Sequence, residues 1–584
     1  MLKLIKKLTK KQVLLVFISI AFVAFQVYLD LKIPDYMNEI TKYVQSGGTI
    51  KDVLKPGSYM VLCAFGSLLS SVIVGYFASY IAASFSKNLR KDIFSKIGSF
   101  GMEEIKNFST SSLITRTTND VTQVGMLISM GLQVMIKAPI MAIWAITKIL
   151  GKSFEWTLAT GCAIVVLLIL ILVLVLIALP KFKKIQWLTD NLNRITRENL
   201  TGIRVVRAFN AENYQQNKFD NANDELTSTY SFTAKLMALM SPVMTLIMSG
   251  LSLSIYFIGA YLIERASMMD KIGLFSDMVV FSAYAMQVVI AFMMLTMIFI
   301  LYPRASVAGK RILEILDTES SIKSGNLTSS KETGTIEFKN VSFKYPDAEE
   351  YMLENISFKV KKGQTIAFIG RTGSGKSTII NLIPRFYDAT SGEVLVDGIN
   401  VKEYKEENLY DKIGYVSQKA IMFRGTISEN ISFGKKNNKK IPKENISKAI
   451  SVAQAEEFIS KISEGYNFKL AEGGTNLSGG QKQRLSIARA IARNPEIYIF
   501  DDSFSALDYK TDFTLRKQLK NYVKDATVLI VAQRIGTIKD ADQIFLIEDG
   551  KIVGSGTHKT LIKTCPGYKE IALSQLGEEE IENV

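Results

Sequence analysis

The chain has 584 residues, too many for one ordinary domain, and 48% of them are hydrophobic. Its formal net charge is +15, but many Lys and Arg residues stand in short segments beside long apolar runs, which suits the inner face of a membrane better than nucleic acid. The three cysteines, Cys63, Cys162 and Cys565, offer neither a disulfide framework nor a metal-ligand spacing.

Lys3, Lys6, Lys7, Lys10 and Lys11 precede the first apolar run. That start could pass for a signal peptide, but more apolar runs follow and no small-x-small cleavage site stands out, so it reads as a first membrane helix. Six runs, near 12–31, 57–85, 126–151, 154–180, 236–263 and 275–302, meet the ~20 residues needed to cross a bilayer. The connections near 86–125 and 181–235 are basic, whereas 32–56, 152–153 and 264–274 are short or mixed in sign. The positive-inside rule then puts both termini in the cytoplasm. The two basic connections are too long for turns and carry helical periodicity, as at Leu192, Ile195, Leu200, Ile203 and Val206. The membrane helices are therefore expected to continue into the cytoplasm, reverse near 102–112 and 211–218, and return.

Two lysines lie inside the third apolar stretch. Lys137, far from either end, has two readings: it lines a water-filled pathway, or it snorkels or pairs within the helix bundle. Lys148, near the outer end, is expected to snorkel. Tyr284, Gln287, Met293, Met294, Met297 and Phe299 suit either a pliable apolar cavity or ordinary contact with lipid and neighbouring helices.

Past this half the composition turns to that of a soluble α/β domain. The expected division is 1–312 membrane domain, 313–332 linker, 333–576 nucleotide domain and 577–584 acidic tail, the last solvated and without function. Segments 335–338 and 341–345 read as strands. Tyr345, at the end of the second, either stacks on an adenine ring or is an ordinary strand aromatic. Then Gly370, Arg371, Thr372, Gly373, Ser374, Gly375, Lys376, Ser377 and Thr378 fit G-x-x-x-x-G-K-[ST], between a buried strand at 365–369 and a helix from Ser377. Glycines let backbone N–H groups turn inward onto phosphate oxygens, with the positive helix end behind them. Lys376 suits the β- and γ-phosphates and the Ser377 hydroxyl suits Mg²⁺.

Further motifs follow in order: Tyr415-Val416-Ser417-Gln418, Leu477-Ser478-Gly479-Gly480-Gln481, the strand Ile497-Tyr498-Ile499-Phe500-Asp501, and Ser505-Ala506-Leu507-Asp508. With the phosphate loop and six spans, the chain resembles an ATP-binding-cassette (ABC) exporter half-transporter over essentially its whole length. The resemblance implies an α-helical membrane domain of six helices with long cytoplasmic extensions, fused to an α/β phosphate-loop domain. It implies MgATP bound by the phosphate loop, Tyr345, Gln418, Asp501 and Asp508, with Mg²⁺ on Ser377, Gln418 and Asp501. It further implies that Ser478, Gly480 and Gln481 complete the site of a second chain. A helix N-terminus such as theirs binds anions, and it has little use in cis beside a phosphate loop already filled.

Two positions depart from the family pattern. Asp502 stands where the water-polarising Glu is usual, and Gln533 where the switch histidine is usual. The shorter Asp sets its carboxylate back by a methylene, and ~1 Å of misplacement can cost about a hundredfold. Gln can hydrogen-bond a phosphate oxygen but carries no charge. The only histidine, His558, lies in a late motif and is expected to be structural. Both catalytic positions change while the binding motifs stay whole. The chain therefore resembles the degenerate-site subunit of bacterial heterodimeric multidrug exporters, as do Thr110–Arg116 and Arg204–Phe209. That implies a cell-membrane location and a partner half-transporter carrying the Glu and the His. It also implies an ATPase fully active only in the pair, and hydrophobic or amphipathic cargo moved by alternating access. A lipid or peptide exporter, or an ATP-gated regulatory subunit, remains the alternative.

Overall fold

The computed structural model describes residues 1–150, 153–267, 270–434 and 439–575; the acidic tail expected at 577–584 lies outside the described residues. The chain divides into two units, Met1–Ile97 with Ser111–Thr318, and Gly98–Thr110 with Glu319–Val584.

Among the described residues, six helices of the membrane half are long and apolar enough to cross a membrane. They are span 1 (Lys10–Gln45), span 2 (Ile50–Gly98), span 3 (Thr110–Ile149), span 4 (Phe154–Thr201), span 5 (Glu212–Arg265) and span 6 (Asp270–Asp317). At 36 to 54 residues they far exceed the ~20 that a bilayer needs, as the periodic basic connections predicted. Span 1 starts at a capping box, in which the Thr9 hydroxyl accepts from Gln12 N–H and the Gln12 side chain accepts from Thr9 N–H. The core packs Val27 and Leu31 of span 1, Met141 and Ala145 of span 3, Trp156 of span 4, Ile255 of span 5 and Tyr284 and Val288 of span 6. The Trp156 indole N–H, buried there, donates to Ile255 O at 3.1 Å. Tyr284 and Met293 belong to this helix packing, whereas the side chains of Met297 and Phe299 lie outside the described residues.

Of its two readings, Lys137 takes the paired one: its ammonium lies 3.1 Å from Asp30 of span 1, whose other oxygen accepts from Ser67 of span 2. Lys148 does not simply snorkel, because it pairs with Asp35 at 2.8 Å, and the Asp35 carboxylate also accepts from the Tyr284 hydroxyl. Asp30 and Asp35 give no local signal of these pairings, because they sit at or beyond the end of an apolar run. Span 3 widens into two π-helical turns, Arg116–Asp120 and Gly131–Met135, the second ending two residues before Lys137.

The reversal between spans 4 and 5 differs from expectation. A short helix at Ile203–Ala208 forms it, and residues 212–218 already belong to span 5. Gly202 ends span 4, and Asn210 takes φ 52° to turn the chain.

Among its described residues the second unit carries three sheets. One has strand order β2-β1-β4-β5 (β1 Ile336–Phe343, β2 Leu353–Val360, β4 Ser391–Val396, β5 Ile399–Asn400). The central sheet, β12-β11-β3-β10-β9-β6, comprises β3 Thr365–Ile369, β6 Ile413–Val416, β9 Ile497–Asp501, β10 Thr527–Val531, β11 Gln543–Glu548 and β12 Lys551–Gly556. A small pair joins β7 Gly425–Thr426 to β8 Lys469–Leu470. β3, β10, β9 and β6 pair in parallel, and β3 and β9 are almost wholly buried, as their unbroken apolar sequences predict. The two strands expected at 335–338 and 341–345 form one bulged strand, β1, with Asn340 at φ 47°. The reversal helix between spans 2 and 3, Met102–Phe108, clusters with this unit.

Removing one partner of a buried ion pair costs about 3–5 kcal/mol because the other charge is stranded, and partial exposure brings the figure down. Lys137→Met is therefore expected to lower thermal stability in lipid nanodiscs, and Asp30→Asn added to it to recover at least half the loss. A thermal-unfolding scan of both variants checks this; equal stability of Lys137→Met and wild type would show that the pair carries no load.

Candidate nucleotide site

The site is built at the carboxyl ends of the central parallel strands. From β3 the chain turns through Gly370 to Gly375 and enters the helix Lys376–Leu382. Gly375 takes φ 97°, and a Cβ there would lie 2.7 Å from Leu353 Cδ2 and 3.0 Å from Met352 O. At Gly370, φ 153°, a Cβ would sit 2.0 Å from Ile547 O. Only glycine permits this path.

The Lys376 ammonium curls into the loop, donating to Gly370 O at 2.8 Å and Arg371 O at 2.6 Å, with Ser374 Oγ at 3.3 Å. Burial lowers its pKa, opposed by the nearby charges of Asp502 and Asp501. A buried ammonium whose hydrogen bonds all go to neutral oxygens suits an anion such as a phosphate oxygen. Ser377 Oγ donates to Asp501 Oδ1 at 2.8 Å. Burial raises the Asp501 pKa, opposed by the Ser377 hydrogen bond. This hydroxyl and carboxylate fit Mg²⁺, which takes one or two protein ligands and completes its shell with water and phosphate. When bound there, Mg²⁺ would neutralise phosphate charge.

Asp502 follows β9 with φ 45°. Its backbone is held at both ends: its N–H donates to Val531 O at 2.9 Å and its carbonyl accepts from Ser505 Oγ at 2.9 Å. Its Oδ2 accepts from Gln418 Nε2 at 3.3 Å and from Gln533 Nε2 at 3.0 Å. Burial raises this carboxyl's pKa, opposed by the Gln418 hydrogen bond. Both departures from the expected pattern thus touch each other directly.

Tyr345 lies in the loop beyond β1, half-buried, with its hydroxyl 3.1 Å from Thr378 Oγ1. Tyr387 meets its ring edge-on. In the same unit the Met102–Phe108 helix reaches this loop, Lys106 pairing with Asp347 at 2.8 Å, which raises the lysine's pKa. Glu104 of that helix accepts from Ser321 N–H at 2.8 Å. No local sequence pattern could have found Lys106, Asp347 or Tyr387.

Ser478 caps the helix Gly479–Ala492 in a capping box, accepting from Gln481 N–H at 3.3 Å while the Gln481 side chain accepts from Ser478 N–H at 2.9 Å. A Cβ added at Gly480 would lie 3.3 Å from Ala506 O. These three residues are exposed or half-exposed, and Ser478 and Gln481 bond to each other. Asp508 caps the next helix, accepting from Thr511 N–H at 2.9 Å. His558 is buried with its Nδ1 2.7 Å from the Tyr568 hydroxyl, a structural place as expected.

Residues 353–505 match the family model described as ABC transporter, and residues 16–293 match that of the ABC transporter transmembrane region. Tyr345, Asp508 and Gln533 fall outside both matches. An uncharacterized ABC transporter ATP-binding protein of Mycobacterium tuberculosis is 37% identical over 557 residues, 93% of each chain. The ABC transporter ATP-binding protein YfiB of Bacillus subtilis is 38% identical over 90% of each. An ATP-dependent lipid A-core flippase of Pseudomonas savastanoi is 32% identical over 89% of this chain and 85% of that protein. In fold, a bacterial Atm1-family ABC exporter with ATP bound superimposes with a TM-score of 0.82 at 22% identity, covering 97% of this chain and 98% of the other.

Gly375→Ala places a methyl against fixed backbone, whereas at Gly373, φ 85°, an added Cβ would have nothing within 4 Å and would meet only backbone strain of roughly 1–2 kcal/mol. Binding of a fluorescent ATP analogue to the full chain is expected to weaken at least tenfold more in Gly375→Ala than in Gly373→Ala. Equal losses would refute the steric account of the loop.

Proposed function

The chain belongs to the ABC transporter family, as a multi-pass membrane exporter of the ATP-hydrolysing type, and from that premise we propose that it is the slow half of a heterodimer. In this reading Tyr345, the loop from Gly370 to Thr378, Gln418, Asp501 and Asp508 serve MgATP, with Mg²⁺ on Ser377, Gln418 and Asp501. Ser478, Gly480 and Gln481 complete the competent site of the partner, whose phosphate loop, Glu and His do the cleavage. The observation that carries the proposal is the Asp502 carboxylate, set back by its short side chain and bonded to Gln533 where a histidine would hold phosphate. The signature residues support action in trans, because Ser478 and Gln481 bond to each other and all three remain exposed or half-exposed to a second chain.

ATP at both sites closes the cassettes. The reversal helices Met102–Phe108 and Ile203–Ala208 carry that closure to the membrane helices. The second of them exposes Val205 and the adjoining Phe209, an apolar tip suited to a cassette surface. Hydrolysis at the competent site resets the cycle. The cargo is a hydrophobic or amphipathic compound exported from the cytoplasm or inner leaflet of a bacterial cell membrane, with both termini cytoplasmic. The likeness to a lipid A-core flippase makes an amphipathic lipid the second reading of the cargo.

Purified alone, the chain is expected to hydrolyse ATP at a small fraction of the rate of the pair. Asp502→Glu combined with Gln533→His is expected to raise turnover of the pair. Robust ATPase activity from the isolated chain, comparable with the pair, would refute the composite site, and so would an unchanged rate in the double variant.

A further inference from the structure

Three loops meet at one atom. Gln418 follows β6, Asp502 follows β9 and Gln533 follows β10, strands that lie side by side in the order β10-β9-β6. Both glutamine amides reach the same oxygen, Asp502 Oδ2, at 3.3 and 3.0 Å. An ionised carboxylate only accepts, so both side chains must present nitrogen to it. The Gln533 backbone is itself held from the far side. Gln575 Nε2 donates to Gln533 O at 2.8 Å and Gln575 Oε1 accepts from Ile535 N–H at 2.8 Å. The Asp502 backbone is tied to Val531 and Ser505, so its carboxylate can move only by side-chain rotation.

We propose that Gln533 is a positioning residue that brakes hydrolysis by holding Asp502 Oδ2, with Gln418, away from the work of orienting water. The inference rests on the slow-site reading above and assigns the slowness to a specific bond. A carboxylate that orients water must offer an oxygen in a set direction, and here two amide donors already fix one oxygen and the plane of the group. The arrangement is compatible with nucleotide. Gln418 keeps its Oε1 free for a cation while its nitrogen holds Asp502, and Gln533 keeps a second N–H. The short side chain and the amide therefore act as a unit: Asp502 sets the carboxylate within reach of both amides, and Gln533 keeps it there. A hydrogen bond to a charged group is worth enough to change a rate by about tenfold when it must be broken first.

The test photolabels the full-length assembled transporter with 8-azido-ATP carrying ³²P in the α or the γ position. The α label counts nucleotide on this chain, and the γ-to-α ratio counts what is still uncleaved there. The ratio is expected to fall slowly in wild type and about tenfold faster in Gln533→Ala, and the gain to vanish in Gln533→Ala with Asp502→Ala. A second readout needs no nucleotide: hydrogen exchange of residues 533–538 is expected to quicken in Gln418→Ala, because the amides share one anchor. A slow wild type with no gain in Gln533→Ala overturns the brake alone, as does a gain that survives loss of Asp502 or an unchanged exchange rate. A wild-type ratio that already falls as fast as the variant's sinks the slow-site reading and the brake with it.

Discussion

The turn from Gly370 to Gly375 is the constraint on which the nucleotide unit depends. It folds the backbone so tightly that a Cβ at either end would meet a carbonyl oxygen or a packed leucine. Such a turn survives only if its two flanks are rigid. β3 supplies one, buried between β11 and β10. The Lys376–Leu382 helix supplies the other, with Ile379, Ile380 and Leu382 packed into the core. Because β9 and β6 extend the same sheet, Asp501, Asp502 and Gln418 arrive at the turn without flexible reach. Rigid strands thus position short side chains, which a site of this accuracy needs.

The membrane unit answers a different constraint. Ionisable groups in an apolar bundle are costly unless paired, so their positions are set by partners on other helices. Span 1 carries both acids, and span 3 answers with Lys137 and Lys148. Tyr284 of span 6 and Ser67 of span 2 finish the hydrogen bonding. Four helices are therefore fixed to one another by a handful of polar atoms, in surroundings where apolar packing alone has little directional preference.

Much of this was legible in the chain. The phosphate loop, the signature, the parallel strands and the six spans follow from local pattern, because each depends on residues adjacent in sequence or spaced at one helical or strand period. The helix lengths followed too, since the basic connections carried period 3.6. The second reversal lies several residues before the polar run that marks it in sequence, because Gly202 and Asn210 give weaker local signals than that run. Hydropathy alone ends span 1 at 31, which leaves out Asp35 and with it the reason for Lys148.

By itself the sequence determined the kind of machine: which residues can cradle phosphate, which can cap the signature helix, and which two depart from the usual pattern. Those are properties of residue type and short spacing. Only the tertiary structure decided that the two departures touch, that Gln418 joins them, and that Lys137 ends on Asp30. Each of those contacts links residues 31 to 107 positions apart, and a hydrogen bond tested at a few ångströms is set by how strands and helices stack, not by their order along the chain.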